Sequence, residues 1–131
     1  MASLTWLGHA SFRIESDRGK RIYVDPFLQG NPKTPADEQE PERVDVIAVT
    51  HGHGDHVGQT VALSKQFPNA EVVAQVELKS WLGAQGANVG DLPGINKGGS
   101  QEVDGIRFTL THAYHSSSAE DGTYTGEPCG L

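Results

Sequence analysis

Cysteine is almost missing from this 131-residue chain, where Cys129 stands alone. A single thiol closes no internal disulfide and builds no cysteine-rich zinc site, so nothing here asks for an oxidising compartment. Long apolar runs are missing too. The opening MASLTWLGHASF has no basic segment followed by an extended apolar stretch, and no later segment approaches a membrane span. A soluble cytoplasmic protein with no membrane partner is the expectation. Positive charge is scarce, with 10 Lys and Arg against 17 Asp and Glu and a formal charge of -7. Without a basic block to neutralise a phosphate backbone, nucleic acid is a disfavoured partner. At 36% hydrophobic residues, the chain has the length and balance of one globular domain, residues 1–131.

The apolar residues fall into short blocks separated by turn chemistry. LTWLGHASFRIES and KRIYVDPF are rich in aromatic and β-branched residues and flank DRGK, a tight-turn sequence, so they read as consecutive strands of a meander. PFLQGNPKTPADEQEP, from Pro26 to Pro41, carries four prolines and several acids and reads as a long surface loop. Such a loop beside a site is a candidate mobile lid. RVDVIAVT is nearly continuously apolar, as in a strand covered on both faces of an α/β sheet. HVGQTVALSKQF reads as a short amphipathic helix, AEVVAQV as another buried strand and ELKSWLGAQG as a helix closed by Gly86. GIRFTLTHA alternates as one strand and delivers His112 and His115 to its far end.

Half of the six histidines lie between His51 and His56, in the order His-Gly-His-Gly-Asp-His, directly behind the strand that ends at Thr50. The carboxyl edge of an open α/β sheet is where ligands bind. His51 and His53, two apart in extended backbone, project to the same side, and Gly52 and Gly54 remove side chains that would crowd them. One cation can take both. Gly54 also permits a sharp turn, after which Asp55 and His56 can point to a second, adjacent cation. Imidazole and carboxylate donors without thiolate suit Zn, Fe or Mn alike.

THGHGDHVG resembles the His-X-His-X-Asp-His signature of the metallo-β-lactamase fold superfamily. WLGHASFRI, IYVDPFL and THAYHSSS resemble the corresponding segments of its UPF0173 metal-dependent hydrolase branch, which is similar to the ascorbate-6-phosphate lactonase-like proteins. The resemblance runs from Leu4 to the end of the chain. It implies an α/β fold, a four-layer αββα sandwich made of two similar halves. It also implies two divalent ions in the complete protein, Zn in the first place with Mn or Fe as alternatives. His51 and His53 then match ligands of the first ion, and Asp55 and His56 match ligands of the second. The third ligand of the first ion follows a later strand, and the family pattern, with the ligand directly before a serine pair, selects His115 over His112. Asp25 matches an early aspartate that supports the histidine loop through hydrogen bonds. His9, in WLGHAS, is typical of the branch, with a structural and a substrate-facing role equally open. Ser116 to Ser118 are either substrate contacts or a polar loop.

The resemblance also implies what is missing: the second half of the sandwich supplies a bridging aspartate and a final histidine that this sequence does not contain. The chain is therefore expected to be an amino-terminal portion, a single domain cut short at its carboxyl end. An apolar sheet face left open in this way could be shared with a second copy as a homo-oligomer. The implied function is hydrolysis of a small-molecule ester, lactone or phosphoester by a metal-bound hydroxide, with Asp55 orienting the water and moving a proton. The alternatives are a metal-binding module or inactive fragment without turnover, and a phosphodiesterase or nuclease, for which the basic surface is lacking.

Overall fold

In the computed structural model, which describes residues 1–131, the central element is a five-stranded sheet in the order β1-β2-β3-β4-β5. Its strands are β1 (Ser3–Trp6), β2 (Phe12–Glu15), β3 (Arg21–Val24), β4 (Val46–Ala48) and β5 (Glu71–Val73). The first three form an antiparallel meander, while β3, β4 and β5 run parallel. Parallel strands need crossovers, and the one from β4 to β5 contains α1 (Gly54–Val57) and α2 (Thr60–Gln66). The helix α3 (Val76–Ala84) follows β5, and the hairpin β6 (Ser100–Val103) and β7 (Ile106–Thr109) follows it. A last pair joins β8 (Thr111–His112) to β9 (Cys129–Gly130).

Strand alternation assigns the two faces of the sheet. One presents Tyr23, Ile47 and Val72, which pack with Leu63, Leu78 and Leu82 of the helices in a core of 13 buried residues. The other presents Ile22, Val46, Ala48 and Val73, which pack beneath Val103 and Phe108 of the hairpin. All three residues of β4 are fully buried, as its unbroken apolar sequence requires. No helix is long and apolar enough to cross a membrane.

Five details depart from the sequence reading. LTWLGHASFRIES is two strands, because Gly8 (φ 99°) and His9 (φ 52°) are left-handed and reverse the chain. The helix expected over HVGQTVALSKQF is broken at Gly58 (φ 47°), where a Cβ would lie 2.6 Å from the backbone N of Phe27. GIRFTLTHA is divided between β7 and β8, and the partner strand β6 is short and polar enough to escape notice. The 26–41 loop, expected as a mobile lid, is packed: Leu28, Asn31 and Thr34 are buried. Gln59 Oε1 accepts from the N–H groups of Leu28 (2.7 Å) and Gln29 (3.0 Å), and Thr34 Oγ1 donates to the Leu7 carbonyl (2.7 Å). Finally, the sheet face expected to lie open is covered over β3–β5 by the β6–β7 hairpin. What stays open is its β1–β2 end, where Leu4 is 66% exposed and Trp6 55%.

Candidate metal centre

Parallel pairing of β3 and β4 brings Asp25 and Thr50, the residues just past their carboxyl ends, to the same edge of the sheet. Asp25 takes a left-handed backbone (φ 45°) and is 2% exposed. Its Oδ1 accepts from the Thr50 N–H at 2.8 Å, and its Oδ2 accepts from Thr50 Oγ1 at 2.6 Å. The same Oδ2 lies 2.8 Å from His56 Nδ1. Thr50 Oγ1 is also 2.8 Å from His51 Nδ1.

These contacts fix both imidazole tautomers. A carboxylate only accepts, so the Thr50 hydroxyl proton points to Asp25, and Thr50 Oγ1 must accept from a protonated His51 Nδ1. His56 likewise donates from Nδ1 to Asp25. With Nδ1 committed in this way, the neutral form of each ring carries its lone pair on Nε2, the atom that a cation needs. His51 Nε2 is buried and has no hydrogen-bond partner, a costly arrangement unless something else satisfies it.

His53 and His115 face that orphan. Their ring centroids lie 4.7 and 4.6 Å from His51 and 5.0 Å from each other. One donor atom from each of His51, His53 and His115 falls within a common 4.8 Å. This donor set fits a divalent ion: three imidazoles, one of them with a buried lone pair and no other use for it. A second group at the same spacing comprises His9, Asp55 and His56, and a third comprises Asp25, His51 and His56. His112 lies outside all three, exposed beside Lys97 Nζ (3.1 Å) and stacked edge-on against Tyr114.

The charge state follows from the surroundings. Burial, together with the positive charge that His56 can carry, lowers the His51 pKa to about 4, so the ring is neutral at neutral pH. Burial also acts to lower His56, but the Asp25 hydrogen bond and charge, with help from Asp55, outweigh it and raise its pKa.

A strap from Ala113 to Thr125 completes the site by carrying His115 across the histidine loop. The Gly52 N–H donates to Ser117 Oγ (3.0 Å), which is 3.0 Å from Thr125 Oγ1. A Cβ on Gly52 would overlap Thr125 Oγ1, and one on Gly54 would overlap the Glu120 carboxylate. Gly52 is thus demanded by the buried Thr125 of the strap more than by crowding between the histidines, whereas the exposed Glu120 side chain over Gly54 has room to move aside. Ser116 Oγ lies 3.4 Å from His53 Nε2, whereas Ser117 is buried and structural. Sequence reasoning passed over Thr50, which carries no local signal apart from its place next to His51, and of the two readings left open for Ser117 the structure supports the loop one, as a tie to Gly52 and Thr125. An open trough of about 550 Å³ leads to His51, His56 and His115 along Leu4, Phe12, Ile14 and Val24, which line the uncovered end of the sheet.

The profile of the beta-lactamase superfamily domain matches residues 3–129. A UPF0173 metal-dependent hydrolase of Herpetosiphon aurantiacus is 47% identical over 133 residues, an alignment covering 98% of this chain and 55% of the relative. A second, from Koribacter versatilis, is 42% identical over 130 residues, covering 97% of this chain and 54% of the relative. Among solved structures, Igni18, a metallo hydrolase from the hyperthermophilic archaeon Ignicoccus hospitalis, superposes with a TM-score of 0.77 at 31% identity, covering 99% of this chain and 55% of that one. The chain spans about half the length of the curated relatives it matches.

Proposed function

The chain belongs to the beta-lactamase superfamily, and on that premise we propose that it carries the metal-binding part of a hydrolase acting on a small ester, lactone or phosphoester. The observation that carries this reading is the buried, unpartnered Nε2 of His51, faced by His53 and His115. Such a triad would hold one divalent ion, Zn with Mn or Fe as alternatives, and Asp55 and His56 would contribute to a second. When bound, the ions supply Lewis acidity to a substrate oxygen and lower the pKa of water.

The remaining work falls to side chains. Asp25 and Thr50 hold His51 and His56 as Nε2 donors. Burial keeps His51 neutral, so no proton competes for that nitrogen near pH 7. Asp55, half exposed beside His9, accepts a proton at a carboxylate oxygen and returns it to the leaving group. The apolar trough beside the histidines would receive the non-reacting part of the substrate and exclude water from it. Names of relatives that are metal-dependent hydrolases support the reaction class.

The test is a panel of lactones, carboxylic esters and phosphoesters offered to the chain after metal loading and again after chelation. Turnover that appears only with metal, and that is lost in His53→Ala, supports the reading. Metal bound with no turnover of any panel member would leave a binding module instead.

A further inference from the structure

We infer that His9 is a metal ligand, and that His9, Asp55 and His56 form a second divalent-cation site contained wholly within this chain. The inference rests on the metal centre proposed above and adds a third donor to its second half. Sequence spacing supplies only Asp55 and His56 for that half; His9 is 46 positions away from Asp55 and enters through the fold.

The geometry is that of converging donors. His9 Nε2 lies 3.1 Å from Asp55 Oδ2, and His56 Nε2 lies 3.9 Å from Asp55 Oδ1. The His9 and His56 rings are 5.0 Å apart. One donor atom from each of the three residues falls within 4.8 Å of the others. For bonds of about 2.0–2.2 Å, the edge of a coordination tetrahedron is roughly 3.4 Å, so the two carboxylate separations bracket the required value. His56 has only Nε2 to offer, since its Nδ1 is held by Asp25 at 2.8 Å.

The backbone is built to put His9 there. His9 is one of three non-glycine residues with positive φ, a strained conformation for an L-residue with a Cβ. An exposed ion pair contributes little stability. With side chains 45% and 51% exposed, the His9–Asp55 pair alone does not offset the strain.

The turn around His9 is also held rigidly. The Leu7 N–H donates to the Ser11 carbonyl (2.8 Å) and the Ser11 N–H to the Gly8 carbonyl (2.9 Å). Trp6 Nε1 donates to the His9 carbonyl at 2.9 Å. A Cβ at Gly8 would sit 2.7 Å from Asn31 Oδ1 and 2.8 Å from Lys33 Cβ, so the packed 26–41 loop locks the turn from behind. Ser11 Oγ then donates to the carbonyl of Asp25 (2.5 Å), tying the turn that carries His9 to the residue that orients His56. Strain held by surrounding structure, with an imidazole aimed at a carboxylate and a second imidazole, is the signature of a positioned ligand. Two nitrogens and a carboxylate oxygen suit Zn, Mn or Fe, and the exposed side of Asp55 leaves room for a further ligand.

The test counts ions on the purified chain. Metal-free protein is titrated with Zn²⁺ against a chromophoric chelator, bound metal is measured by elemental analysis, and Co²⁺ absorption reports coordination. His9→Asn and His9→Gly are the informative variants, because both residues accept the left-handed backbone and neither supplies an imidazole. Circular dichroism verifies their folding, and Asp55→Asn attacks the same site from a helix if either fails to fold. The expected result is two ions per wild-type chain, with one weakened at least tenfold in each variant while the ion dependent on His115 stays. One ion only, sensitive to His115→Ala and indifferent to all three variants, overturns the inference and leaves the first site standing. A chain that takes up no ion overturns both.

Discussion

Asp25→Asn removes one charge and exchanges one oxygen for an amide nitrogen without changing shape, and asparagine tolerates the left-handed backbone that residue 25 adopts (φ 45°). In the wild type, Oδ1 serves the Thr50 N–H and Oδ2 serves two donors, Thr50 Oγ1 and His56 Nδ1. The amide oxygen of the variant side chain can keep the backbone contact, but its NH₂ group then meets both remaining donors. To remove the conflict, His56 must move its proton from Nδ1 to Nε2, and the Thr50 hydroxyl must turn and donate to His51 Nδ1. That second step leaves the proton of His51 on Nε2 as well. One substitution therefore blocks the ligating nitrogen of a histidine in each half of the centre. Loss of an orienting partner to a ligating histidine costs about 10- to 100-fold in metal affinity, equivalent to about 1.4–2.7 kcal/mol. Because two histidines respond together, both ions should weaken. Chelator competition measures the affinities, and long-range ¹H–¹⁵N spectra of the metal-free chain read the tautomers of His51 and His56 directly. Unchanged tautomers, or affinities within twofold of wild type, would refute the relay.

Thr50→Val should lower the affinity of the His51 site about tenfold, with Thr50→Ser close to wild type, by the same chelator competition; equal effects of Val and Ser would assign Thr50 to packing. Gly52→Ala forces a methyl group into Thr125, 3.1 Å from its Cβ as well as onto its hydroxyl, and should destabilise the fold by about 1–3 kcal/mol, read from urea denaturation. In the metal-free chain, the lowered pKa of His51 contributes stability that is fully present above its unfolded value of about 6.5 and is lost as pH falls from there through about 4. His56, with its pKa raised, contributes in the opposite sense: fully below about 6.5, and fading as pH rises through its folded value. The stability advantage of wild type over His51→Gln should therefore shrink by roughly 3 kcal/mol between neutral pH and about pH 4, and a constant difference across that range would show that His51 is not held neutral by the fold.

Much of the centre was legible because its residues are neighbours in sequence. RVDVIAVT reads as a strand covered on both faces, which puts the histidines at its carboxyl edge, and the structure has that strand over Val46–Ala48. What stayed hidden depends on distant contacts. His9 reads as part of a long strand until the left-handed Gly8–His9 pair turns the chain, and that turn is stabilised by Asn31, Thr34 and Asp25, residues up to 27 positions away. The break at Gly58 has the same origin, since the backbone of Pro26 and Phe27 occupies the space a side chain would fill. Thr50 resembles any β-branched residue ending a strand, and only the parallel register of β3 against β4 brings its hydroxyl to Asp25. The cover over the sheet was missed for a compositional reason: SQEV is polar on its outer side and contributes a single buried residue, Val103.

The central claim is that His51, His53 and His115 hold one divalent ion between them. Elemental analysis of the purified chain, set beside His115→Ala and His112→Ala, addresses it most directly, because the two histidines are three positions apart and only one stands with His51 and His53. Bound metal should fall sharply in His115→Ala and stay at the wild-type level in His112→Ala. Equal metal in wild type and His115→Ala, or a loss confined to His112→Ala, would contradict the assignment of the site.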